Sequence, residues 1–149
     1  MQGPITKKRL LRYVSLKMEI ENQCERLERM RANTELPAMR EGDGSQRSIF
    51  VNDRLSSAII RNIEQEEKIQ RIIETNKTEM QYIEDSIDSM EDPMQREVLR
   101  LRYLDGEYCK LMPWQQVSEC IYNDSDEKHM RAIFRLHGHA LQALEKQTT

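Results

Sequence analysis

Apolar positions recur with helical periods along most of the chain. Leu10, Tyr13, Lys17, Ile20, Cys24 and Leu27 alternate three and four apart, which gathers them into one stripe of a helix. Thr6 stands where an N-cap belongs, its hydroxyl free to accept from an unpaired backbone N–H, and the stripe predicts a helix over 6–31. A longer stripe runs through Leu55, Ile59, Asn62, Glu66, Ile69, Ile73, Asn76, Met80, Ile83, Ile87 and Met90. Alternation of four and three over roughly five heptads is the spacing of a coiled-coil seam, capped at Asn52 or Asp53. Its polar members Asn62, Glu66 and Asn76 weaken the seam but set register or partner number. Between the two stripes, TELPAMREGDGSQRS collects Pro37, Gly42, Gly44 and small polar residues without any period, as a linker with little order does.

Beyond Asp92-Pro93, a cap followed by a proline at the first helical position, the periodic segments become shorter. Three helices are predicted: Met94–Leu104 closing at Asp105-Gly106, a second from Pro113 or Trp114 to Tyr122, and a last from Ser125 or Asp126 to about Lys146. Asn123, Asp124 and Ser125 supply turn and cap residues between the last two. The expected core comprises Leu99, Leu104, Trp114, Val117, Ile133, Leu141 and Leu144. On the last helix Met130, Ile133, His137, Ala140, Leu141 and Leu144 share one side. Lys128, Arg131, Ala132, Arg135 and His139 share the other. Gly138 interrupts this helix, and an isolated helical glycine costs about 1 kcal/mol against alanine, so it marks a helix end or a close approach.

The expected organisation is therefore a basic helix over 1–32, a flexible linker over 33–52, a long coiled-coil-type helix over 53–92, and a helix-turn-helix domain over 93–149. The fold class is all-α: a long helical hairpin or coiled coil followed by a three-helix unit. Composition agrees, since 149 residues with 33% charged and only 5% aromatic side chains suit one or two small helical domains rather than a large aromatic core. The helix expected over 53–90 would span about 57 Å and that over 6–31 about 39 Å. The uncovered length of seam points to a homodimer.

Charge is uneven behind the formal total of −3. Residues 1–32 carry a net +4, 33–52 a net −1, 53–92 a net −6, and 93–149 none. Attraction between two solvated helix faces accounts for most of this pattern, with Lys7, Lys8 and Arg9 available for phosphate. No apolar run reaches the roughly 18 residues of a membrane span, and MQGPITKKRLLRY lacks the apolar stretch of a secretory signal. A cytoplasmic protein is expected, in a bacterial host cell, with no membrane partner. Cys24, Cys109 and Cys120 are odd in number and widely spaced, which argues against a disulfide framework and for reduced helix-packing residues. A zinc site drawn from Cys109, Cys120, His137 and His139 fails because the two histidines, two apart on a helix, face different ways. Neither a nucleophilic elbow nor an orienting acid accompanies any Cys–His pair. No enzyme and no cofactor are expected, and Trp114, at a helix start, is a core anchor rather than a base-stacking platform.

Two short helices joined by a polar turn, the second longer and basic on one face, describe a helix-turn-helix whose second helix enters the major groove of double-stranded DNA. Arginine forks onto guanine and lysine onto phosphate, and Ala132 leaves room for approach. The stretch EVLRLRYLDG, then Trp114 with Val117, then RLHGHALQAL resembles the fourth conserved region of bacterial sigma factors. More closely it is similar to the small phage and prophage regulators of the RinA and ArpU type, whose Leu-His-Gly-x-Ala-Leu pattern is matched by Leu136, His137, Gly138, Ala140 and Leu141. The resemblance implies a late-gene activator that binds DNA and contacts host RNA polymerase. It implies DNA contacts from Lys128, His129, Arg131, Ala132, Arg135 and His139, His137 and Leu141 packed inward, and Gly138 where the recognition helix crosses its neighbours. Two stretches depart from the pattern. KLMPW lengthens the approach to the second helix, and YNDSDEK sets Asp124, Asp126 and Glu127 beside the expected contacts, where carboxylates repel phosphate. A small terminase subunit, which also combines coiled-coil and helix-turn-helix segments, and a coiled-coil adaptor that binds protein instead of DNA are the alternatives.

Overall fold

The computed structural model describes residues 2–33 and 47–149, and among these it is helical without a strand. The helices are α1 (Lys7–Asn33), α2 (Arg47–Asp88), α3 (Pro93–Leu99), α4 (Trp114–Tyr122) and α5 (Glu127–Gln147). None is long and apolar enough to cross a membrane. Thr6 precedes α1 as expected, its Oγ1 accepting from the Arg9 N–H at 3.4 Å. The expected linker over 33–52 lies mostly outside the described residues. Where it meets them it is corrected: α2 begins at Arg47, so Asn52 and Asp53 sit inside the helix instead of capping it.

The chain divides into two compact units, one of Met1–Met18 with Asn76–Thr149 and one of Glu19–Thr75. In the smaller unit Leu27 packs on Ile69 and Ile73, with Ile20 and Met30 beside them. Arg31 Nε lies 3.6 Å from Glu66, so one polar member of the long stripe pairs with α1. Cys24 departs from its expected packing role and is exposed, as is Cys120, while Cys109 is buried. Ile59, Ile60 and Ile63 are about half exposed.

The larger unit is built around Ile5, Leu10, Tyr13, Ile83, Ile87, Val98, Leu99, Tyr103, Val117, Ile133, Ala140 and Leu144. Of the core expected from sequence, Leu99, Val117, Ile133 and Leu144 are fully buried, and Leu104, Trp114 and Leu141 flank it half-buried. The residues before α1 strap onto the end of α5. The Ile5 N–H donates to Thr148 Oγ1 at 2.8 Å, and the Tyr82 hydroxyl donates to the Gly3 carbonyl at 2.6 Å. Arg9 belongs to this strap and not to a free phosphate-seeking arm. It is ion-paired with Glu79, donates to the carbonyls of Gln2 and Gly3, and lies over the Tyr82 ring. Lys7 and Lys8 remain exposed.

Asp92 caps α3 as expected, accepting from the Met94 N–H at 2.9 Å. The helix then widens into a π-helical turn over Arg100–Leu104, closed by the Asp105 N–H on the Arg100 carbonyl at 3.0 Å. Tyr103, inside this turn, is buried. The extended approach to α4 folds back on the turn. Arg102 Nη1 donates to the Met112 carbonyl at 2.6 Å, and the Met112 N–H returns a bond to the Arg102 carbonyl at 3.2 Å.

Candidate nucleic-acid interface

The α4–α5 connection is local chemistry. Asn123 takes the left-handed conformation that ends α4, its N–H bonded to the Glu119 carbonyl, a role asparagine tolerates better than most residues. Buried Ser118 donates to the Asp124 carbonyl at 2.6 Å, and Asp126 caps α5 by accepting from the His129 N–H at 2.9 Å. This turn fixes the rotational setting of α5. Ile133, His137, Ala140 and Leu144 are consequently buried, while Lys128, Arg131, Arg135 and His139 are exposed and Ala132 is half-buried at the edge of their face.

Beneath that face lies an aromatic cluster. His137 is 7% exposed, and its Nε2 sits 2.7 Å from the Tyr103 hydroxyl. The His137 ring stacks on Tyr103 with centroids 5.7 Å apart and meets the edge of Trp114 at 4.7 Å. Burial, helped by Lys7 and Arg102, lowers the His137 pKa from its ordinary 6.5 to about 4. The ring is therefore neutral near pH 7 and shares one hydrogen bond with the Tyr103 hydroxyl. Trp114 also receives the Arg102 guanidinium at 4.4 Å from its ring centre and the edge of Phe134 at 5.2 Å. It is a core-side anchor, as expected from its position, and it holds the half-exposed Phe134 on the surface of α5.

At the N-terminal end of α5 the acidic residues are already engaged. Glu127 pairs with Arg131 at 3.0 Å, both side chains largely exposed. His129 Nδ1 pairs with Asp126 and lies 3.8 Å from Asp124, and its ring tilts against Tyr122. Hydrogen bonds from the His129 backbone and then its ring hold the Asp126 carboxyl below its ordinary range. Asp124, Asp126 and His129 bring ligand atoms within 4.8 Å of one another, a grouping not anticipated from sequence. Its geometry is that of a helix cap with a histidine–carboxylate hydrogen bond.

No family model matches the chain, and neither a curated protein nor a solved structure matches it.

Of the six candidate contacts, Lys128, Arg135 and His139 stand exposed, Ala132 is half-buried, Arg131 is shared with Glu127, and His129 is turned toward carboxylates. Gly138 corrects an expectation. A Cβ added there meets nothing within 4 Å, so among the described residues this glycine does not lie at a crossing of helices. Phe134, Arg102 and Tyr103 were not singled out from sequence. Phe134 was legible as an apolar residue on the outward half of α5. The Tyr103–His137 bond was not, since the partners are 34 residues apart and no local pattern joins them.

Proposed function

We propose that the chain is a phage or prophage transcriptional regulator that binds double-stranded DNA through 93–149, with α5 as the recognition helix of a sigma-like helix-turn-helix. The observation that carries this reading is the outward face of α5. From Lys128 to Leu144 the sequence holds no carboxylate, and the cations Lys128, Arg131 and Arg135 are exposed there beside His139, matching the phosphate charge of a duplex. The residue-level resemblance described above supplies the phage-regulator context and host RNA polymerase as a further partner, inside the bacterial cytoplasm. Half-exposed Ile59, Ile60 and Ile63 on α2 support a homodimer. Its test is light scattering, where a monomer mass that never rises with concentration removes the dimer.

A gel-shift titration across salt concentrations tests the DNA reading. Arg135→Ala is expected to weaken binding by about 1–3 kcal/mol and relax preference at particular base pairs, while Lys128→Ala lowers affinity for all sequences and reduces the salt slope by about one unit. Arg131→Ala should cost less than Arg135→Ala, because Arg131 gives up its exposed pair with Glu127 to reach DNA, a pair worth at most about 1 kcal/mol. If Arg131→Ala and Arg135→Ala bind as tightly as wild type at every salt concentration, the recognition-helix assignment fails. The acids Asp124, Asp126 and Glu127 at the start of α5 then favour the adaptor, with this helix turned to a protein.

A further inference from the structure

We propose that Gly138 is the point of closest approach between α5 and duplex DNA, the absent side chain letting the helix backbone seat against the groove. The inference rests on the DNA-binding reading and places the centre of contact in the middle of α5 instead of at its start. Three ordinary reasons for a glycine fail here. Gly138 lies within the helix Glu127–Gln147 and not at its end. Gly3 is the glycine that takes a positive φ among the described residues, so no left-handed backbone requires one at 138. A Cβ at Gly138 meets nothing within 4 Å, so no packed neighbour requires it. Among the described residues the helix-propensity penalty of glycine is left without any return, and an exposed position of this kind suits a surface that must be approached closely from outside.

Charge identifies the occupant. Arg135 lies one turn before Gly138, exposed His139 follows it, and exposed Gln142 lies one turn after, with no carboxylate between Lys128 and Leu144. The N-terminal end of α5 is different: Asp124, Asp126 and Glu127 are gathered there, with His129 and Arg131 paired to them. A phosphate backbone is repelled by that end and attracted to the segment around Arg135. Gly138 sits in the attracted segment. The half-exposed Phe134, anchored on Trp114, lies one turn away and supplies apolar contact for a sugar or a thymine methyl.

The test compares Gly138→Ala and Gly138→Leu with wild type, by thermal melting and by anisotropy titration of a mixed-sequence DNA duplex at several salt concentrations. Gly138→Ala should melt at or above wild type and still bind the duplex more weakly, and Gly138→Leu should bind about tenfold more weakly. Neither variant should change the salt slope, because no charge is removed. Two results would overturn the proposal: unchanged duplex affinity in both variants, as when a partner helix and not DNA meets this face, or a Gly138→Ala protein that melts below wild type. Wild-type protein that fails to bind the duplex at low salt would instead remove the DNA-binding reading itself, which separates the two failures.

Discussion

A Gly106→Ala chain should unfold at a markedly lower urea concentration than wild type, having lost about 3 kcal/mol or more of stability. A Cβ on Gly106 would stand 1.8 Å from the Lys110 carbonyl oxygen and 2.9 Å from both the Lys110 carbonyl carbon and the Met112 nitrogen. All three are backbone atoms, so no rotamer change relieves the clash. The loop cannot shift cheaply either. Its backbone is pinned by the Lys110 N–H on the Glu107 carbonyl at 3.1 Å and by the pair of bonds between Arg102 and Met112. Tyr108 and Cys109 already hold left-handed conformations, with φ of 56° and 55°, which L-residues adopt at a cost. Making room for one methyl group means unseating buried Met112 and Cys109 from the core. Helical content at low denaturant should survive, because α3, α4 and α5 lie on either side of the loop. A Gly106→Ala protein with the wild-type midpoint would show that the loop does not fold back on Lys110.

Stability should also fall as pH drops, by about 3 kcal/mol through His137. Its pKa is lowered from 6.5 to about 4 in the folded chain, so between those values the unfolded chain binds more protons than the folded one. Protons then favour unfolding. The contribution is complete above about pH 6.5 and is lost progressively toward about pH 4. The cause is burial against Tyr103 and Trp114, with the Tyr103 hydroxyl on Nε2, where an imidazolium would be poorly solvated and faces Lys7 and Arg102. Urea unfolding across that range measures the effect, and a His137→Gln chain should show a flatter dependence over the same interval. Equal pH dependence in the two chains would mean that other groups carry it.

The two variants probe parts of the chain that differ in how legible they were. His137 could be placed on the inward side of α5 from periodicity alone, because a helix repeats every 3.6 residues and the neighbours Ile133, Ala140 and Leu144 mark the same side. Its Tyr103 partner could not be found that way. Tyr103 turns inward through a π-helical turn over Arg100–Leu104, and one residue of extra winding is invisible to a 3.6-residue pattern. Gly106 was legible only as a helix stop. That its missing side chain admits the Lys110 carbonyl depends on a loop that returns to its own start.

The sequence by itself determined the all-α class, the extent of α1, the short helices α3 to α5 within a few residues, the cap at Asp92, and the two sides of α5. These are local properties, set by the spacing of apolar residues along a helix and by side chains that bond to backbone two or three residues away. Only the tertiary structure decided that Arg9 is tied to Glu79 and the carbonyls before α1, that Cys24 and Cys120 face solvent, that Leu104, Trp114 and Leu141 are half-buried, and that Gly138 opens onto free space. Each of these depends on which distant surface lies opposite a given helix face. Periodicity says that a stripe will be covered, but the depth of cover follows from three-dimensional packing between residues far apart in the chain.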